Sequence, residues 1–305
     1  MNGRTTAAAL HLEGLRKTFR TARGERAAVD GVTATVPAGS FVSVVGPSGC
    51  GKSTLLEVVA GLVRPDAGRV LVGDRDVTRR PGACAYMPQE DLLFAWRTVL
   101  QNAALGLEVR GVPAREARRR AAELVGPFGL AGFEDARPDE LSGGMRQRAA
   151  LLRTVVQGPG VLLLDEPFGA LDALTRLRMQ GWLHGMWRQF GWTVLLVTHD
   201  VREAVLLSDR VLVLGPRPAR VVHDETVDLP HPRDAATRCA ALEARLLDRL
   251  GGTTGAVPGD TDRAPTTSTR PRRATGPAAA MHRTDRGPRG EDEGRHHGGP
   301  EREAT

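Results

Sequence analysis

Apolar residues recur along the first 250 positions in two rhythms. Short, mostly apolar runs at 41–45, 69–72, 161–164, 193–197 and 211–214 predict β-strands. Stretches at 55–60, 114–125, 145–156, 173–190 and 201–207 follow helical spacing and predict α-helices. Val161, Leu162, Leu163 and Leu164 put an apolar side chain on both sides of their strand, which fits a sheet covered on both faces. Strands alternating with helices give an α/β core. A last amphipathic helix is expected over 236–250, with Leu242, Leu246, Leu247 and Leu250 on or near one side.

The pattern stops after residue 250. Residues 251–305 contain no aromatic residue, and Val257 is their only β-branched aliphatic. Such a segment cannot bury enough apolar surface to offset its ordering entropy, so a disordered Gly/Pro/Arg-rich tail is expected. It holds 9 arginines and 8 acids, so it is not a polybasic anchor. His296 and His297 are adjacent there, and a functionless tail is the simpler reading. The folded domain is therefore expected over residues 8–250.

Composition narrows the class. The chain has 305 residues, 41% hydrophobic and 26% charged, which suits a soluble protein with a substantial core. No run approaches the roughly 20 apolar residues that span a bilayer. Residues 1–9 lack the apolar centre of a secretion signal, so a cytoplasmic location is expected. Cys50, Cys84 and Cys239 are odd in number and far apart, which excludes a disulfide scaffold and a cysteine metal cluster. The net charge of +6 leaves a basic partner-binding surface open.

The strongest motif is Gly46-Pro47-Ser48-Gly49-Cys50-Gly51-Lys52-Ser53-Thr54, of the form GxxxxGK[ST], between a predicted strand and a predicted helix. Its glycines let successive backbone N–H groups turn inward around phosphate oxygens, and the helix N-terminus adds a favourable field. Lys52 is expected to reach the β- and γ-phosphates, and Ser53 to hold Mg²⁺. Cys50 is either a small side chain that fits the loop or a thiol activated by the helix end.

Asp165 and Glu166 end the apolar run at 161–164. Adjacent residues of an extended chain point in different directions, so Asp165 can serve Mg²⁺ while Glu166 addresses an attacking water. His199 follows another apolar run, where it can contact the γ-phosphate or orient water. Ser142, Gly143 and Gly144 open a further helix with a hydroxyl and free amides, a second anion site. One nucleotide does not need two such sites, whereas a symmetric dimer that shares them between subunits does.

Taken together, these residues resemble the nucleotide-binding subunit of an ATP-binding cassette (ABC) transporter, over residues 10–250. The resemblance implies a P-loop NTPase of ABC type: a mixed sheet core, an antiparallel β portion and an inserted helical subdomain at about 91–158. By this resemblance Phe19 stacks on adenine, in place of the usual Tyr. Lys52 binds phosphate, and Ser53, Asp165 and Gln89 serve Mg²⁺. Glu166 is the general base, His199 the switch residue, and Gln89 the link between the γ-phosphate and the membrane partner. Ser142 and Gly144 contact ATP held by the other subunit of a homodimer, and Asp172 lies at the dimer seam. Residues 92–108 and 114–124 belong, by the same resemblance, to the helical subdomain that docks on the permease.

Residues 87–102, Met87-Pro88-Gln89 through Thr98-Val99 to Asn102, resemble the nitrate, sulfonate and taurine importer group. Asp200-Val201-Arg202-Glu203-Ala204 and Arg217-Pro218 fit the same group. Ala95 stands where a Pro is usual, and Leu151-Leu152-Arg153-Thr154 replaces the common Ala-Arg-Ala form. The implied protein hydrolyses ATP to power uptake of a small anion through a separate permease, fed by an extracytoplasmic solute-binding protein. It would lie on the cytoplasmic face of the membrane and bind no nucleic acid. A separate-chain exporter and a cassette ATPase acting on nucleic acid are the competing readings.

Overall fold

The computed structural model describes residues 7–22, 24–158, 160–231, 233 and 237–253. In chain order the strands are β1 (Leu10–Thr21), β2 (Gly24–Val36), β3 (Phe41–Val45), β4 (Ala67–Val72), β5 (Arg75–Asp76), β6 (Ala85–Met87), β7 (Val161–Asp165), β8 (Thr193–Val197), β9 (Arg210–Leu214) and β10 (Val221–Thr226). The helices are α1 (Lys52–Val59), α2 (Val99–Val109), α3 (Ala114–Val125), α4 (Gly143–Val155), α5 (Ala173–Phe190), α6 (Val201–Leu207) and α7 (Thr237–Thr253).

Two sheets result. The larger has the order β10-β9-β3-β8-β7-β6. Its strands run parallel from β9 to β6, and β10 joins the edge antiparallel to β9. The smaller is antiparallel, in the order β2-β1-β4-β5. The expected mixed core and antiparallel portion are both present.

Alternation along the central strands sorts the core. Val42, Val44, Val161, Leu163, Leu195 and Val197 face α1 and the antiparallel sheet. Phe41, Leu162, Leu164, Val194 and Leu196 face the other side, against α2 to α5. Both faces are thus covered, which is why these strands read as unbroken apolar runs. Truncating a side chain such as Leu163 to Ala would cost about 2–5 kcal/mol. Helices α2, α3 and α4 lie between β6 and β7 in the chain. Their contacts use small residues, Ala103, Ala104, Ala117, Ala121 and Ala150, all fully buried.

Some boundaries differ from the sequence reading. Helix α1 begins at Lys52 rather than 55, and α4 at Gly143 rather than 145, because both start at glycine-rich turns that carry no apolar rhythm. The last helix continues to Thr253, three residues into the segment expected to be disordered. Residues 254–305, with His296 and His297, lie outside the described residues. Among the described residues no helix is long and apolar enough to cross a membrane.

Candidate functional site

The loop between β3 and α1 follows from its glycines. Gly51 has φ +120°, and a Cβ there would lie 2.3 Å from the carbonyl oxygen of Ala28. Only glycine allows this turn. The loop delivers Lys52, which is buried, and its Nζ donates to the carbonyls of Gly46 (2.8 Å) and Pro47 (3.0 Å). Gly51 caps α1 without a side-chain bond, so the first amides of the helix are available to an anion. A cleft of ≈ 420 Å³ opens here. Ser48, Gly49, Gly51, Lys52, Ser53 and Thr54 line it, joined by Gln89 and Glu166. Cys50 turns away and is buried, and burial pushes its thiol above the usual range. Burial thus favours the reading of Cys50 as a small side chain that fits the loop, against the opposing pull of the Lys52 charge.

The acid pair stands at the end of β7. Asp165 is buried, and its Oδ2 accepts from the Tyr86 hydroxyl at 3.4 Å. Burial is the main cause holding its carboxyl above the ordinary value; the Glu166 charge adds, and the Ser53 and Tyr86 hydroxyls oppose. Oδ1 of Asp165 is buried with no hydrogen-bond partner. That orphaned oxygen, the Ser53 hydroxyl and the Gln89 amide oxygen form an all-oxygen donor set, which fits Mg²⁺.

Glu166 leaves the strand with φ +44°, a left-handed conformation rare for a side-chain-bearing residue. Its amide donates to Val197 O at 2.8 Å, which holds the turn against β8. Its Oε2 lies 3.1 Å from His199 Nδ1 and 3.4 Å from Gln89 Nε2. Three residues far apart in sequence thus meet at one carboxylate oxygen. His199 and Gln89 are exposed, so this cluster faces solvent at the mouth of the cleft.

The remaining predicted residues lie elsewhere. Ser142, Gly143, Gly144, Asp172 and Phe19 do not line the cleft. Ser142 is exposed and caps α4, its hydroxyl accepting from Met145 N at 3.3 Å. Gly144 is buried, and a Cβ there would meet Thr175 Cγ2 at 3.1 Å, so α4 packs tightly on α5 at this point. Asp172 caps α5, accepting from the amides of Leu174 (3.1 Å) and Thr175 (3.0 Å), which hold its carboxyl below the ordinary range. Phe19 packs half-buried against the core under the antiparallel sheet, with Lys17 Nζ 5.3 Å from its ring centroid.

Two cleft residues escaped the sequence reading as site residues. Ala28 contributes backbone. Arg217 lines the cleft, with its Nε donating to Ala27 O at 2.9 Å. Arg217 was visible only as part of a group motif. Tyr86 likewise carried no signal, because its strand has three residues. Arg146 and Arg153 tie α4 to the segment after Gln89: Arg153 donates to the carbonyls of Asp91 and Leu92, both at 2.5 Å, and Arg146 pairs with Asp91 at 3.4 Å.

Comparison with known proteins places this geometry. A family model described as ABC transporter matches residues 29–169. An aliphatic sulfonates import ATP-binding protein of Pseudomonas putida is 46% identical over 247 residues, covering 81% of this chain and 87% of the relative. A protein of the same description from Rhodopseudomonas palustris is 47% identical over 243 residues, 79% of this chain and 83% of the relative. Among solved structures, the dimer of a bacterial ABC transporter cassette has a TM-score of 0.63 at 28% identity, covering 72% of this chain and 100% of that one. A dimer of an ATP-binding cassette in a post-hydrolysis state, bound to ADP and Pi, gives the same values.

Proposed function

The chain belongs to the ABC transporter family and is an ATPase of that family, and from this premise we propose that it powers import of a small sulfonate through a separate membrane permease. The observation that supports the substrate class is the 46% identity, over 247 residues, with a sulfonate-import subunit.

The residues divide the work as follows. The amides of the loop from Gly46 through Ser48 and Gly49 to Thr54, with Lys52, hold the phosphates of ATP. Ser53, Asp165 and Gln89 would hold Mg²⁺, which when bound offsets charge on the β- and γ-phosphates. Glu166 takes the attacking water as general base, and His199 and Gln89 fix the carboxylate that does so. Arg217 adds a cation at the cleft wall.

Ser142, Gly143 and Asp172 lie outside the cleft and belong to the other half of the reading. In a head-to-tail homodimer the exposed Ser142 turn of one subunit meets ATP on the Lys52 loop of the other. Gly144 sets how closely that turn packs on α5. Phe19 supplies the ring for adenine. ATP favours the closed dimer over the open one, and that difference drives the motion.

The motion reaches the membrane through the segment after Gln89. Leu92, Phe94 and Trp96 are exposed there, Trp96 to 70%. An apolar patch of this kind suits docking on a permease. The subunit then sits peripherally on the cytoplasmic face, and an extracytoplasmic solute-binding protein delivers the sulfonate.

The test is sulfonate uptake in cells that lack this chain. Uptake of an alkanesulfonate is lost, is restored by the native chain and is not restored by Glu166→Gln. Undiminished uptake in the deleted strain would overturn the substrate assignment.

A further inference from the structure

His199 sits on a loop between β8 and α6, and a chain of bonds fixes that loop. Thr198 N donates to Val44 O at 3.1 Å, and Asp200 N to Thr198 Oγ1 at 3.0 Å. Asp200 caps α6 by accepting from Glu203 N at 3.2 Å. Glu203 then reaches across to α5, where Gln180 Nε2 donates to its Oε2 at 3.3 Å. Both side chains are buried, Glu203 4% and Gln180 5% exposed.

A cleft of ≈ 180 Å³ opens beside Gln180, lined also by Leu177, His184, Leu206, His231 and Arg233. We propose that Gln180 and Glu203 are a positioning pair for His199, tying the first turn of α6 to α5 and so setting the His199–Glu166 contact. The inference rests on the ATPase reading, since His199 matters through that reaction.

A neutral carboxyl group at Glu203 can make this tie. Burial, and then the charge of Asp200, push its carboxyl up to about 8; Gln180, Thr198 and the Arg176 guanidinium oppose. At neutral pH Glu203 is therefore a neutral acid that accepts from Gln180 without placing a charge in the interior. Oε1 is buried and makes no hydrogen bond, so Oε2 carries the contact to Gln180.

The experiment compares the full-length native chain with Glu203→Gln and Glu203→Ala. It reads ATP hydrolysis at pH 7 and the NMR resonance of the His199 imidazole, assigned by its loss in His199→Ala. Glu203→Gln is neutral at every pH. It is expected to keep kcat within about twofold at pH 7, and to leave the His199 resonance in place. Glu203→Ala is expected to lower kcat at least tenfold with KM for ATP within threefold, and to shift the His199 resonance. A His199 resonance that moves in Glu203→Gln, or one that stays in place in Glu203→Ala, overturns the proposal. A native chain without hydrolysis contradicts the ATPase reading instead, and the resonance still decides the positioning claim.

Discussion

His199 and Glu166 stand just past the ends of two neighbouring parallel strands, with Nδ1 of the first 3.1 Å from Oε2 of the second. The contact depends on the left-handed backbone at Glu166, which turns its carboxylate out of the strand direction. Such a conformation costs on the order of 1–3 kcal/mol and persists where the surroundings enforce it. Here the enforcing bond is Glu166 N to Val197 O. Glu166→Gln is expected to lower kcat by about 10²–10⁴-fold with ATP affinity nearly unchanged, since it removes a base and keeps the shape. His199→Ala lowers kcat with the same sign. Steady-state hydrolysis beside equilibrium nucleotide binding measures both.

Gly51 carries a structural demand. A Cβ there would overlap the carbonyl of Ala28 at 2.3 Å, in a backbone region that disfavours side chains. Gly51→Ala is expected to destabilise the chain by about 2–4 kcal/mol and to abolish nucleotide binding. Denaturant unfolding with a nucleotide titration checks both. An unchanged midpoint would mean that the loop can adopt another turn.

Arg217 lines the cleft at the Lys52 loop, held by its Nε bond to Ala27 O. Its loss should weaken ground-state and transition-state binding alike. Arg217→Ala is expected to raise KM for ATP about three- to tenfold with kcat within twofold.

Much of this site was legible in sequence, because phosphate chemistry demands fixed residue types at fixed spacing. The Gly46–Thr54 loop, Asp165, Glu166 and His199 all follow strands whose apolar runs are unmistakable. What escaped is equally physical. β1 and β2 hold Gly14 and Gly31 at positive φ, and their pairing shifts register at several points, so apolar alternation breaks. β10 is an edge strand with a polar sequence. Helix α2 was visible only through family resemblance, although Thr98 and Gln101 form a capping box at its start. Glu203 was visible only within a group motif and Gln180 not at all, because the burial of both comes from the packing of α6 on α5.

That burial also predicts a pH effect on stability. The Glu203 carboxyl sits near 8 in the folded chain, raised from 4.5. The folded form therefore binds this proton more tightly than the unfolded form. Its contribution is complete below about pH 4.5, declines as pH rises, and is lost above about 8. The stability of the native chain relative to Glu203→Gln is expected to fall across that window by several kcal/mol, on the order of 1.4 kcal/mol per unit. Urea unfolding of both proteins at stepped pH measures it.

The central claim is that this chain is the ATP-hydrolysing part of an importer whose pore is another polypeptide. Affinity capture of the chain from its native membrane in mild detergent, followed by mass spectrometry, tests it most directly. The account predicts an integral membrane permease held by the segment around Leu92, Phe94 and Trp96, together with a solute-binding protein whose purified form binds alkanesulfonates. Recovery of the chain with ribosomal or DNA-associated proteins, and with no membrane protein, would contradict it.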